Sequence, residues 1–128
     1  MTSSTWFIDL SNVMGSVPDG WWRDREGATR RLIEDIRAWA DGDVTIVLDA
    51  GPDDLLGPRD GVTVVRASRR GRDAADDEIV RLVEGREHAR VVTSDAALAA
   101  RVRELGADVE GARTFRRRLS QYPPIDRG

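Results

Sequence analysis

TWFIDLSNVMG, residues 5–15, opens with an apolar run, Trp6, Phe7 and Ile8, that reads as a buried strand and stops at Asp9. Ser11, Asn12 and Gly15 follow, residues that favour turns. In an open α/β sheet the ligand crevice lies outside the carboxyl ends of the strands. A carboxylate and a carboxamide delivered to that edge therefore face whatever binds there. The same residues also suit a purely local role, with Asp9 or Ser11 capping a turn. This stretch alone does not separate the two readings, but the chain repeats the device.

VTIVLDAG, from Val44, is a near-continuous apolar strand that ends at Asp49, and RVVTSD, from Arg90, ends at Asp95. Strands buried on both faces have this composition and belong to parallel sheets. VTVVRAS, from Val62, reads as a further strand, and a short one is expected around Asp108 to Glu110. Between them the apolar spacing turns helical. Leu32, Ile33, Ile36 and Trp39 mark a helix over about Asp24 to Ala40, and Ile79, Val80 and Val83 one that begins near Asp73. Leu98, Val102 and Leu105 mark a third helix, and an arginine-rich turn or helix runs to Leu119. SVPDGWWRD after the first strand and GPDDLLGPRDG from Gly51 to Gly61 read as loops. Alternating strands and helices call for right-handed crossovers. The expected fold is α/β: a single Rossmann-like three-layer domain with a mainly parallel central sheet, over residues 1–120, with a proline-bearing tail over 121–128. The glycine fingerprint of dinucleotide binders and the phosphate-binding P-loop are both missing, which removes the main support for a nucleotide-cofactor enzyme.

The bulk numbers suit one domain: 128 residues, 40% hydrophobic and 34% charged. With no cysteine and a single histidine, His88, neither a disulfide framework nor a thiolate or multi-histidine zinc site can form. No apolar run approaches the roughly 20 residues of a membrane span, and the N-terminus lacks a signal-peptide pattern. The expectation is a soluble, cytoplasmic protein with no membrane partner. The net charge is −3, yet the basic residues, all 20 of them arginine, are unevenly placed. Arg66, Arg69, Arg70 and Arg72 form one cluster, and Arg113, Arg116, Arg117 and Arg118 another. Clustered arginine grips phosphate bidentately; it also makes an ordinary solvated face.

Acids ending three apolar strands, Asp9, Asp49 and Asp95, are joined by DAADDE, in which Asp73, Asp76, Asp77 and Glu78 open a helix. If the first strand neighbours the one ending at Asp95, these acids converge near the topological switch point. Converging carboxylates repel, and an oxygen-only shell without His or Cys suits Mg²⁺ or Mn²⁺ rather than zinc. Such a site binds a scissile phosphate and activates water, as metal nucleases do. Asn12 and Ser94 are placed to hold a phosphate or a carboxylate, and Trp21 and Trp22 to stack on unpaired bases. Arg70, Arg72, Arg116 and Arg117 would grip the flanking backbone. Each acid also has a structural reading: Asp73 and Asp95 suit helix N-caps, and Asp76 and Asp77 suit a first helical turn. One or both tryptophans suit the end of the core. Glu78 reads as a surface residue.

IDLSNVMG, LDAG, AADDEIV and VVTSDAAL, in this order and at these intervals, resemble the NYN branch of the PIN-like nuclease superfamily, in particular its YacP-like bacterial members. The resemblance spans about Trp6 to Leu119. It maps the family's first aspartate and asparagine onto Asp9 and Asn12, its paired acids onto Asp76 and Asp77, and its last acid onto Asp95. What it implies is a Mg²⁺- or Mn²⁺-dependent ribonuclease in which Asp9, Asp76, Asp77 and Asp95 bind the metal and activate water. Asp49 and Asp73 are additional candidate ligands. The chain departs from many relatives at Leu10 and Ser11, where they carry glycine beside the first aspartate.

A metal-dependent ribonuclease acting on RNA is therefore the leading expectation. A non-catalytic RNA-binding or protein-interaction module on the same fold is the alternative, and a phosphohydrolase of small nucleotides a third. A homodimer and an antitoxin-like protein partner are both left open by the sequence.

Overall fold

The computed structural model of the chain describes residues 4–67 and 74–122. Phe7 and Ile8 have neighbours on both faces, and they sit in β1 (Thr5–Asp9), the strand around which the sheet is arranged. β2 (Val44–Leu48) and β5 (Ala89–Val92) flank it in parallel, pairing Ile8 with Ile46 on one side and with Val92 on the other. β4 (Val62–Arg66) continues beyond β2 and β6 (Asp108–Glu110) beyond β5, again in parallel. An antiparallel edge strand, β3 (Gly57–Arg59), completes the order β3-β4-β2-β1-β5-β6.

Because successive side chains on a strand point to opposite faces, the apolar runs fill two cores. Ile8, Ile46, Val64 and Val92 pack beneath α1 (Leu10–Gly15), α2 (Arg25–Trp39) and α5 (Ala112–Ser120). Phe7, Val47 and Val91 pack beneath α3 (Ala74–Val83) and α4 (Ala96–Glu104), whose Ile79, Val83, Leu98 and Val102 close that side. Burying side chains of this size is worth roughly 1.5 to 3 kcal/mol each. This is the expected three-layer, mainly parallel α/β domain. Among the described residues no helix is long and apolar enough to cross a membrane.

The structure corrects the sequence reading at several points. Residues 10–15 form a helix rather than a turn, because Leu10, Val13 and Met14 recur at i, i+3 and i+4 and are all buried. Trp21–Arg23 is a 3₁₀ turn inside the expected loop. The Gly51 to Gly61 segment holds a 3₁₀ turn, Asp53–Leu55, and β3. Pro58 is tolerated in β3 because the strand is an edge. Asp60 and Gly61, with φ of 55° and 81°, make a two-residue hairpin turn of the kind that Asp-Gly favours. Leu105 lies just past α4 and is 40% exposed, so it does not continue the Leu98 and Val102 stripe. Glu78 is buried and ion-paired with Arg81 instead of lying on the surface.

Candidate active site

β1 hands its last residue to the carboxyl edge of the sheet between two parallel neighbours, so Asp9 ends at the switch point where the chain turns first to β2 and later to β5. Strand alternation puts its side chain on the same face as Phe7, the side covered by α3. Asp9 is only 4% exposed, and its carboxyl is pushed up to about 6, first by burial and next by the charge of Asp76. Asp49, at the end of β2, adds a smaller push in the same direction. A hydrogen bond from Thr93 and one from the backbone of Asn12 work against the rise. Thr93 Oγ1 donates to Asp9 Oδ2 at 3.1 Å and accepts the Asp95 amide at 3.1 Å, so one hydroxyl ties the edge of β1 to the start of α4. The sequence reading passed over Thr93. Its signal was its position, the first polar residue after an apolar strand and directly before Ser94.

The other expected residues have distinct surroundings. Asp76 opens α3 and is the member of the acidic pair whose charge bears on Asp9; Asp77 accepts from Arg101 of α4 at 3.0 Å. Asp95 caps α4, its Oδ1 accepting from the Leu98 amide at 3.0 Å. Asp49 is exposed and pairs with Arg25 at 3.5 Å. Asn12 Oδ1 accepts the Ser94 amide at 2.7 Å, and Ser94 Oγ accepts the Ala112 amide at 2.8 Å, which fastens α1 and α5 to the loop after β5. Among the described residues no three Asp, Glu or His side chains are gathered tightly enough to hold an ion by themselves.

Trp21 packs against the core while Trp22 is 55% exposed, the two rings meeting edge to face at 5.8 Å. Arg25 lies over Trp21 at 5.7 Å and reaches Asp49, so the tryptophans adjoin the acid edge. Many of the clustered arginines are engaged within the protein. Arg66 pairs with Asp53 and Arg116 with Asp19, both at 2.7 Å, and Arg118 makes a two-pronged contact with buried Glu110. Arg117 reaches Thr114 at 3.4 Å. Arg69, Arg70, Arg72 and Asp73 lie outside the described residues.

The chain thus forms a six-stranded, mainly parallel sheet with helices on both faces and a buried aspartate, Asp9, at the carboxyl edge of β1. The solved structures that share this fold include Rae1 (YacP) from Bacillus subtilis, which matches with a TM-score of 0.69 over 93% of this chain and 75% of that one. A tryptophan-to-leucine mutant of Rae1 matches with a TM-score of 0.74 over 93% of this chain and 76% of that one. Both are 19% identical to this chain, so the likeness is one of fold. No protein-family model and no curated protein matches the sequence.

Proposed function

We propose that the chain is a metal-dependent ribonuclease that hydrolyses RNA phosphodiester bonds at the sheet edge carrying Asp9. The observation that supports this best is Asp9 itself, a buried carboxyl raised to about 6 and facing further negative charge. A group so placed is stabilised by a cation. The donors are oxygens only, which suits Mg²⁺ or Mn²⁺. Mg²⁺ keeps several waters and commonly takes one or two carboxylates plus substrate phosphate, so a pair such as Asp9 and Asp76 fits it without a third acid. Asp77 follows Asp76 in sequence, Asp95 is tied to Asp9 through the Thr93 hydroxyl, and Asp49 contributes charge.

When bound, the ion supplies Lewis-acid polarisation of the phosphate and a water-derived nucleophile at neutral pH. Within the chain, Thr93 fixes the orientation of Asp9, and Asn12 holds the Ser94 amide so that the loop after β5 keeps its distance from β1. Arg25 offsets the charge of Asp49 at the rim and offers a guanidinium to an incoming phosphate.

The test is Mn²⁺-dependent cleavage of a labelled single-stranded RNA by the wild type, Asp9→Asn and Asp76→Asn, each first shown to be folded. Loss of at least about a hundredfold in both variants is expected, in line with the cost of removing one catalytic electrostatic group. A wild type that does not cut, or variants that cut equally well, would sink the proposal and leave a non-catalytic RNA- or protein-binding domain.

A further inference from the structure

The connection from α1 to α2 is held to α5 at Ser16 and Asp19, and two hollows that the acid edge does not account for border these contacts. The first, of about 460 Å³, is lined by Met14, Trp21, Leu32 and Leu119 together with the charged Asp19, Arg31 and Asp35. The second, of about 500 Å³, is lined by Arg113, Arg116 and Arg117 with Ser16 and Ser120, and no acid lines it. They adjoin, sharing Arg116 and Ser120, and the Arg116–Asp19 ion pair at 2.7 Å stands between them. The first hollow joins an aromatic and aliphatic wall to charged groups, Asp19, Arg31, Asp35 and Arg116; the second is cationic. Each is within the size range of small-ligand sites.

The cationic hollow also begins at the rim of the acid edge. Asn12 binds the Ser94 amide, Ser94 binds the Ala112 amide, and Arg113 Nε donates to the Ser16 carbonyl at 3.2 Å. A backbone leaving Asp9 along that rim meets Arg113 first and Arg117 one helical turn later.

We infer that this pair of hollows is a subsite for one nucleotide of a single-stranded RNA, with the base against Trp21 in the first hollow and the adjoining phosphate against Arg113 and Arg117. The inference rests on the ribonuclease reading for the identity of the polymer. Arg31 lines the same hollow and carries donors for the hydrogen-bonding edge of a base, and a base can enter only when unpaired and splayed from its neighbours. Duplex RNA does not offer such a base.

The experiment is fluorescence anisotropy with end-labelled pentaribonucleotides in EDTA, where no cleavage occurs, over a range of salt. Wild-type protein is expected to bind. In a series of pentamers with one abasic residue at each position in turn, one position should lose about tenfold in affinity, the scale of a lost base–aromatic stack. The variant Arg113→Ala/Arg117→Ala, altered at positions that form no ion pair among the described residues, should reduce the slope of log affinity against log salt by about 1.4, two single-strand phosphate contacts. An abasic series without a sensitive position, an unchanged salt slope, or displacement of the pentamer by a mononucleotide at equal concentration would overturn the subsite. Failure of the ribonuclease reading looks different: the wild type would bind in this manner yet never cut with Mn²⁺. Cutting by a wild type whose binding ignores both the abasic site and the arginines would remove the subsite alone.

Discussion

Thr93 and Asp9, 84 residues apart in sequence, share a hydrogen bond of 3.1 Å at the carboxyl edge of the sheet. It joins the ends of two adjacent parallel strands, and the same hydroxyl accepts the amide of Asp95. Thr93→Val keeps the shape and removes that hydroxyl. Asp9 should then titrate above its value of about 6, since the contact with Thr93 opposes the rise, and the fold should lose about 1 to 3 kcal/mol through unsatisfied buried groups. Carbon-detected NMR titration of the Asp9 carboxyl and urea unfolding check the two effects; an Asp9 midpoint that stays put would remove Thr93 from the site's electrostatics.

The raised Asp9 pKa also sets the sign of a stability effect. Between the ordinary value of 3.8 and about 6 the native state holds a proton that the unfolded chain has released, so stability falls as pH rises through that window. The loss, about 3 kcal/mol at full ionisation, persists at neutral pH. Asp9→Asn is free of it. The variant should therefore melt several degrees above wild type at pH 8 and at the same temperature near pH 3.5, as calorimetry at the two pH values would show. Added Mn²⁺ should raise the wild-type melting temperature at pH 8 and leave the variant unmoved.

Asp95 separates a capping role from a ligand role. Its side chain accepts the Leu98 amide, and Asn caps as well as Asp does, so Asp95→Asn should preserve stability while Asp95→Ala costs about 1 kcal/mol. If Asp95 also serves the ion, Asp95→Asn will be stable yet lose Mn²⁺-dependent cleavage. A stable and fully active Asp95→Asn would confine the residue to capping α4.

At the last residue of β6, Glu110 is buried between Arg118, at 2.7 and 3.0 Å, and Arg90, at 3.4 Å. Both guanidiniums lie over Trp6, at 5.6 and 5.3 Å from its ring. Removing one member of a buried pair strands the other's charge, which costs 3 to 5 kcal/mol when the pair is fully enclosed. Here the arginines are partly exposed and hydrated, so Glu110→Ala should cost about 2 kcal/mol. Urea unfolding in low and high salt measures this, and a change below 0.5 kcal/mol would mean that water replaces the carboxylate without penalty.

The parallel sheet was legible because Trp6 to Ile8, Ile46 to Leu48 and Val91 with Val92 are apolar on both faces and interleaved with helical stripes. The position of Asp9 followed from the same pattern, since an apolar strand that ends in an acid delivers it to the sheet edge. Less legible was whatever depends on which element meets which. Glu78 reads as surface until the packing of α3 covers it, and Thr93 reads as filler until β5 lies beside β1. The clustered arginines look like a phosphate grip in one dimension, but Asp19, Asp53 and Glu110, distant in sequence, have taken Arg116, Arg66 and Arg118 as partners. The β3–β4 hairpin carried its signal in Asp60-Gly61, obscured by the glycines and prolines around it.

The order of the strands has a consequence for when the site comes into being. β1, β2, β3 and β4 occupy one side of the sheet and the first half of the chain, and they can pair as soon as that half is available. β5 must join β1 from the far side, closing a loop of about eighty residues, and such distant pairings form late because the chain entropy is spent before the contact is gained. Until then Asp9 lies on an open edge with water on one flank, neither shielded by Thr93 nor opposed by Asp76 in a fixed geometry. The property that singles it out, a carboxyl raised by burial and by the charge of Asp76, arises only once β5 has closed against β1.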